Sequence, residues 1–218
     1  GAIAEWDAQA AALASFAVGK TVEELRSGAI DETGYAPEGT DLASSATIYL
    51  GGYVAAIEKA VANAQHLGAQ ASDELRLACN MGIGSSASAD EENLGNAQLD
   101  VDVTALTLNG ETITSCVIDA VQAKISFSVT GELTTGLVNH VETKNELGPN
   151  YGMVAWAGAV AEWNEQAASF AAYVTGKTAD EVMGIAVNEG TKPTDADLSA
   201  SVTIAIGGFQ ALIQKACG

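Results

Sequence analysis

The sequence predicts an α+β protein in which an antiparallel β-meander is packed by helices from two repeated helical half-units. A repeat is the first observation: residues 1–25 match 158–182 at 13 of 25 positions, and 41–60 match 197–216 at 11 of 20. The second is a change of period, because the segment between the copies shows strand-like alternation. We therefore predict a first helical half-unit over 1–65, an antiparallel β region over 70–156 and a second half-unit over 157–218.

Composition excludes two classes of partner. The 218 residues carry a formal net charge of −19 with nine Lys plus Arg. Such an acidic surface repels phosphate backbones and anionic lipids, so we expect no binding to nucleic acid or to a membrane surface. No run approaches the roughly 18 apolar residues that a transmembrane helix needs. Gly1 stands directly before a helix pattern, as a cleavage scar would after removal of an export signal.

Cysteine and histidine usage gives no sign of a metal site. Cys79, Cys116 and Cys217 are isolated, and we interpret them as small buried hydrophobic residues, with a Cys79–Cys116 disulfide as the alternative. His66 and His140 share no ligand spacing with each other or with the cysteines. We predict no metal.

Each half-unit begins with an amphipathic helix pattern. Its apolar stripe contains Trp6 in the first copy and Trp163 in the second, and we interpret both as core residues. A glycine suited to a left-handed helix end follows, and then a capping box that should start a short second helix. These signals are Gly19 with Thr21 and Glu24, and Gly176 with Thr178 and Glu181.

The middle of the chain has the two-residue period of strands. Leu99, Val101 and Val103 alternate with Asp100 and Asp102, which predicts a half-buried strand with the two aspartates on its solvated face. The phase slips at residues 105–106, which indicates a bulge before an Asn-Gly hairpin turn at 109–110. With a strand near Leu75 and further alternation over 125–129, three or four antiparallel strands are expected.

A seven-residue stretch is the most conspicuous part of the repeat. It runs Asp-Leu-Ala-Ser-Ser-Ala-Thr from Asp41 to Thr47, and its second copy runs Asp-Leu-Ser-Ala-Ser-Val-Thr from Asp197 to Thr203. Gly-Gly, an aromatic residue and a helix pattern follow both copies. A second polar stretch with interspersed glycine, 140–153, is by default a loop.

Taken together, these motifs resemble the FMN-binding domain family of sodium-pumping and Rnf-type electron-transfer subunits and surface flavoproteins. The stretch 41–47 resembles its Asp-x-x-Ser-Gly-Ala-Thr motif, and 197–203 resembles it more distantly. The hairpin at 108–113 resembles the family's β-meander turn. His140 to Thr143, with Leu147-Gly148 three residues later than in the family, resembles its His/Glu-Thr-x-Gly-Leu-Gly loop. The resemblance implies that 70–218 forms one complete unit.

The resemblance also implies a cofactor and its residues. In the family, a flavin transferase joins the FMN phosphate to the terminal Thr hydroxyl, near a helix N-terminus that favours an anion. The implied phosphate-side residues are Asp41, Ser44, Thr47, Asp197, Ser201 and Thr203. The residues implied to line the isoalloxazine are Glu142, Thr143, Leu147 and Gly148. Ser45 and Ser201 stand where the family has Gly, which weighs against covalent attachment.

Two functions from different classes follow. The first is an extracytoplasmic flavin electron carrier, secreted or anchored at a bacterial cell surface in the manner of a lipoprotein, that works with a redox partner protein. It would have no substrate of its own, because the sequence offers no acid/base or nucleophile set. The alternative is a degenerate, non-catalytic structural or ligand-binding surface module without flavin. In either case both half-units should pack on the one sheet, or two chains should exchange half-units in a dimer.

Overall fold

The computed structural model describes residues 3–138 and 140–218, which divide into two compact units, Gly1–His66 (unit 1) and Leu67–Gly218 (unit 2). Each unit has a hydrophobic core of its own. Gly1, which we interpreted as a cleavage scar, lies outside the described residues.

From residue 3 onward, where the structure describes it, unit 1 is built from three helices, α1 (Trp6–Ala17), α2 (Val22–Ala29) and α3 (Gly51–Ala62). Gly19 has the predicted left-handed backbone with φ 78°, and Thr21 closes the predicted capping box with Glu24 at the start of α2. The buried residues of this core come from the three helices and from the 41–50 segment, and they are Leu13, Leu25, Ala29, Leu42, Ala46, Leu50 and Val54.

Unit 2 contains an antiparallel sheet of strands β1 (Glu74–Gly82), β2 (Gly95–Asn109) and β3 (Thr112–Phe127), in the order β1-β2-β3. With its helices, this sheet confirms the predicted α+β class. Asn109 pairs with Thr112, so the two-residue turn is Gly110-Glu111, one residue beyond the prediction, and Gly110 has φ 62°. A bulge is present between Thr107 and Leu108, two residues later than the phase slip at 105–106 predicted.

The described part of unit 2 also contains six helices: α4 (Lys144–Leu147), α5 (Met153–Ala157), α6 (Trp163–Val174), α7 (Ala179–Met183), α8 (Ala196–Ser199) and α9 (Gly207–Cys217). A 3-10 turn, Gly148–Tyr151, joins the first two. Helix α6 packs on β3 and α9 packs on β1 and β2. Thr178 caps α7 in the second predicted capping box, after Gly176 with φ 88°. The core of unit 2 therefore lies between one face of the sheet and these two long helices.

The orientation predicted for the acidic strand face is wrong. Residues 100 and 102 of β2 share a face with Thr104 and Leu106, which are buried under the helices, and their partners on β3 include buried Ala120. This is the inner face of the sheet. Alternation shows that a strand has two faces but does not say which one the helices cover, and the apolar residues at 99, 101 and 103 lie on the other, outer face.

The three cysteines are free thiols in different surroundings. Cys116 is buried on the inner face, where burial raises the pKa of its thiol to about 11. Cys79 is exposed on the outer face, and Cys217 is half-buried near the end of α9. The prediction of a buried hydrophobic residue therefore holds for Cys116 alone. A Cys79–Cys116 disulfide is excluded because the two side chains lie on opposite faces.

Candidate functional site

A buried glutamine forms hydrogen bonds with the last residue of the seven-residue motif in unit 1. Gln9 of α1 is completely buried, and its side-chain carbonyl accepts hydrogen bonds from the Thr47 backbone N–H at 2.8 Å and from the Thr47 hydroxyl at 3.2 Å. The carboxamide nitrogen donates to the Ala4 carbonyl at 2.7 Å. Because a buried amide must have its polar atoms paired, these bonds fix the path of the chain at Thr47.

Unit 2 repeats this arrangement at the second copy of the motif. Gln166 of α6 is completely buried, and its side-chain carbonyl accepts from the Thr203 N–H at 2.8 Å and from the Thr203 hydroxyl at 3.2 Å. It accepts a third bond from the Ile204 N–H at 3.2 Å, and its carboxamide nitrogen donates to Ala161 at 2.8 Å. The duplicated Thr is therefore bound to a duplicated Gln in both units.

Sequence reasoning gave Gln9 and Gln166 no role at the motif. The signal was present, because the two glutamines are identical residues at matching positions of the repeat. A polar residue kept on an otherwise apolar helix stripe indicates a buried hydrogen-bonding partner. The identity of that partner was not readable, since it lies 38 residues away in unit 1 and 37 in unit 2.

The other motif residues lie at the surface around each Thr. Asp41, Ser44 and Thr47 are exposed in unit 1, as are Asp197 and Ser201 in unit 2, while Thr203 is half-buried. The serines at the family's glycine position turn back on their own chain: the hydroxyl of Ser45 donates to the Asp41 carbonyl and that of Ser201 to the Leu198 carbonyl, both at 3.3 Å. Each hydroxyl is thus held within its own turn.

The second predicted group of site residues forms a tight corner on the sheet. Thr143 caps α4 and forms a capping box with Glu146, while Glu142 just before it is exposed. Leu147 is half-buried, and Gly148 turns the chain with φ 48°. Asn145 holds the corner to β3: its backbone N–H donates to the Asp119 carboxylate at 3.1 Å and its side chain to the Ile118 carbonyl at 3.0 Å.

Lys144 joins this corner to the start of α6. Its ammonium lies 4.9 Å from the ring centroid of Tyr151 and 4.9 Å from that of Trp163, the first residue of α6. Gln166, which binds Thr203, is one helical turn further along the same helix. The structure therefore brings Thr203 and the 143–148 corner to neighbouring turns of α6. Thr47 and its neighbours belong to unit 1, and the described part of unit 1 has neither a sheet nor a second corner of this kind.

An acidic pair on the inner face of β2 adjoins Lys144. The Asp100 carboxylate accepts from Gln122 at 2.9 Å, Gln98 at 2.8 Å and Ser85 at 2.8 Å, and these bonds, with the charge of Lys144, lower its pKa. Burial raises the pKa of Asp102, against the opposing charge of Lys144. The two carboxylates therefore have opposite pKa shifts, and the charge of Lys144 interacts favourably with both.

Helix α9 begins four residues beyond Thr203. It begins Gly207-Gly208 with Ile206 at the N-cap, and no side chain caps it. A Cβ placed on Gly208 would meet no atom within 4 Å, whereas one placed on Gly207 would meet the Thr191 side chain at 3.0 Å, so the space is open at Gly208 and occupied at Gly207. An uncapped helix start that is open at Gly208 fits the phosphate of a flavin nucleotide, because the first N–H groups of a helix favour an anion.

Two other concave regions of unit 2 do not involve the predicted residues. One open depression in unit 2 is lined by residues that include Phe127 and Val129, and another by residues that include Tyr173 and Lys177. Neither contains a predicted site residue. Among residues 3–138 and 140–218, no group of three or more His, Cys, Asp or Glu side chains could hold a metal ion. In the same ranges, no helix is long and apolar enough to cross a membrane.

Comparison with known proteins adds one distant structural neighbour. No family model and no curated protein matches the chain. A solution NMR structure of a structural genomics target from Clostridium thermocellum aligns with 25% identity over 66% of this chain and 88% of its own, at a TM-score of 0.32. A TM-score this low carries no argument about fold or function.

Proposed function

We propose that unit 2 is an FMN-binding module that carries electrons between partner proteins outside the cytoplasm. The observation that carries the proposal is the meeting of Thr203 and the 143–148 corner on neighbouring turns of α6. In the family that the sequence resembles, the counterparts of these two segments hold the phosphate and the ring system of one flavin. Bound FMN would supply the redox chemistry, and the protein would bind and orient it.

The phosphate end of the proposed site is formed by Thr203 and the start of α9. The Thr203 oxygen and the uncapped N–H groups at Gly207-Gly208 would hold the phosphate, with Asp197 and Ser201 in the turn that precedes them. Ser201 does not oppose this, because its hydroxyl is bonded within its own turn. The same roles would fall to Asp41, Ser44 and Thr47 in unit 1.

The ring end of the proposed site is the corner held by Lys144. Glu142, Thr143, Leu147 and Gly148 would line the isoalloxazine, beside the rings of Tyr151 and Trp163. The described residues around this corner do not provide a nucleophile with an adjacent base. We therefore propose an electron carrier and not an enzyme with its own substrate.

A second candidate function is a non-catalytic structural or ligand-binding module without flavin. One observation favours it: both Thr hydroxyls are already used, each donating to a buried glutamine at 3.2 Å. In this second function, the motif is repeated because its threonine joins a loop to a helix by hydrogen bonds. Phosphate binding is then not needed to explain why the motif occurs twice. Lys144, the cation at the corner, is likewise engaged by two rings and an acidic pair.

The visible spectrum and the intact mass of the purified protein separate the two functions. The chain is co-expressed with a flavin transferase and, in parallel, mixed with FMN. The proposal predicts flavin absorbance in one or both samples, and an ester would add the mass of FMN less one water. Thr203→Val removes the hydroxyl and should abolish the adduct or weaken FMN binding about tenfold or more, since it deletes one phosphate contact.

Matched variants guard this experiment against indirect effects. Thr47→Val makes the same change in unit 1, and Thr194→Val removes a hydroxyl that donates to the Ala186 carbonyl elsewhere in unit 2. Thr194→Val should leave flavin content unchanged. Colourless protein that does not bind added FMN contradicts the proposal and leaves the second candidate.

A further inference from the structure

Unit 1 presents a helical face whose counterpart in unit 2 covers a sheet. We define the α1/α3 face by eight residues: Trp6, Ala10, Ala14, Ala17, Tyr53, Ala56, Ile57 and Ala60. The repeat aligns them with eight residues of α6 and α9: Trp163, Ala167, Ala171, Val174, Phe209, Leu212, Ile213 and Ala216. Every one of these counterparts is 6% exposed or less in a core shared with the sheet.

The α1/α3 face is open in part: four of its eight residues are half-buried, and three of these, Ala17, Tyr53 and Ile57, pack against the core of unit 1. Trp6 is 59% exposed where Trp163 is 6%, and Ala14, Ala56 and Ala60 are exposed where their counterparts are buried. None of the eight residues is charged. The loop after the first helix differs too: Gly176 and Lys177 exchange backbone hydrogen bonds of 2.7 and 2.9 Å with Ile113 at the start of β3, and Lys177 is half-buried where Lys20 is exposed.

The sheet of unit 2 has a second apolar surface. Its outer face is formed by twelve residues at alternate positions of the three strands: Leu75, Leu77, Cys79, Met81, Leu99, Val101, Val103, Ala105, Val117, Val121, Ala123 and Ile125. Leu75, Leu77 and Met81 are 72%, 71% and 70% exposed. Asp119 lies on the same face, but its carboxylate accepts hydrogen bonds from the backbone N–H groups of Ala120 and Asn145.

This outer face is large enough to be an interface. A stable protein–protein contact takes about 800 Å² from each partner, and isolated apolar patches on monomers seldom exceed about 600 Å². Six large apolar side chains of the outer face are between 38% and 72% exposed, and the half-buried residues between them make the surface continuous. The exposed area is on the order of that which one partner of a stable dimer contributes.

We propose that the α1/α3 face of one molecule covers the outer sheet face of a second copy, and that the second copy returns the same contact. A second copy fits because each chain offers one sheet-covering helical face and one uncovered sheet face. Reciprocal contacts about a two-fold axis close the assembly as a dimer with two equal interfaces. Apart from Asp119, neither face carries a charged side chain, so the contact brings few charges together. The net charge of −19 on each chain still opposes association, so added salt should strengthen the dimer.

Sedimentation equilibrium on matched variants tests the contact. The unaltered protein should be a dimer. Ala14→Glu places a charge on the α1/α3 face and Leu77→Glu places one on the outer sheet face, and each should raise the dimer dissociation constant about a hundredfold or more, because an unpaired charge would be buried. Ala11→Glu is the control in the same helix, since Ala11 and its counterpart Ala168 are both exposed, and Leu133→Glu is the control outside the strands. Both controls should remain dimeric.

Mixing the two variants tests reciprocity. A pair made of one Ala14→Glu chain and one Leu77→Glu chain keeps one interface free of charge, so the mixture should recover part of the association that each variant lost alone. A monomeric unaltered protein overturns the proposal. A dimer that Leu77→Glu disrupts and Ala14→Glu does not also overturns it, because sheet faces would then pair with each other. If either variant loses its circular dichroism spectrum, Ala60→Glu and Met81→Glu make the same tests on the same two faces.

Discussion

Unit 1 and the helical part of unit 2 share three local features in different surroundings. Both have the hydrogen bonds between a buried glutamine and the motif threonine, a glycine with left-handed backbone and a capping box. They differ where unit 2 packs on a sheet: Trp163 is buried against Phe209, with ring centroids 5.8 Å apart, while Trp6 is mostly exposed and donates to the Tyr53 hydroxyl. Local signals therefore specify the half-unit, and the sheet decides which of its apolar residues become core.

Equivalent substitutions of Trp6 and Trp163 should give the largest difference in stability loss between the two units. Trp163→Ala should lower the free energy of unfolding of unit 2 by about 4 kcal/mol, because it empties a buried aromatic site, while Trp6→Ala should cost unit 1 about 1 kcal/mol or less. Hydrogen exchange followed by mass spectrometry resolves the two units in one chain. Equal losses of protection in the two variants would mean that Trp6 is as well packed as Trp163.

Equivalent substitutions of Gln9 and Gln166 should have similar effects on the stability of the two units. Replacing Gln166 or Gln9 by Leu leaves a carbonyl and at least one N–H without a buried partner, and each change should cost about 3 kcal/mol in its own unit. Gln166→Leu should cost somewhat more, because its carbonyl accepts three hydrogen bonds and that of Gln9 accepts two. Denaturant unfolding monitored by hydrogen exchange gives both values. A loss below about 1 kcal/mol in either unit would show that these hydrogen bonds are dispensable there.

The smallest effect is a pH dependence that belongs to unit 2. Hydrogen bonds lower the pKa of Asp100, so its contribution to stability is present above its unfolded pKa of about 4 and is lost as pH falls through the folded value. Burial raises the pKa of Asp102, so its contribution is present below about pH 4 and is lost as pH rises through the folded value. At pH 7, Asp100→Asn should destabilise unit 2 by about 1 kcal/mol, and Asp102→Asn should cost less or stabilise it.

Urea midpoints of the two variants, measured between pH 3 and pH 7, check these signs. The difference in urea midpoint between the unaltered protein and Asp100→Asn should decrease toward pH 3, because the unaltered protein loses the stabilisation by ionised Asp100 in acid. If Asp102→Asn had the lower urea midpoint of the two variants at neutral pH, the result would contradict the placement of the two aspartates on the inner face of the sheet. Unit 1 serves as the internal control, because its protection should not follow either substitution.

The sequence predicted what short-range chemistry decides. The capping boxes, the left-handed glycines, the bulge and the hairpin turn each depend on a few neighbouring residues, so their signals were readable. Trp6 and Trp163 were indistinguishable because they occupy matching positions on matching stripes, and only the sheet separates them. Asp100 and Asp102 were placed on the wrong face because alternation carries no information on which face the helices cover. The partners of Gln9 and Gln166 were missed because they are distant in the chain.

The contact between the second and last helices of each half-unit shows a further divergence. In unit 1, Arg26 of α2 makes a two-point ion pair with Glu58 of α3 at 2.7 and 2.6 Å, with most of the arginine side chain exposed. In unit 2, the buried Gln210 of α9 donates instead to the Val182 carbonyl of α7 at 2.8 Å. Mobile ions screen the first contact and do not reach the second. Added salt should therefore weaken the contact between α2 and α3 and leave the contact between α7 and α9 unchanged. The stability of the two units should respond differently to ionic strength.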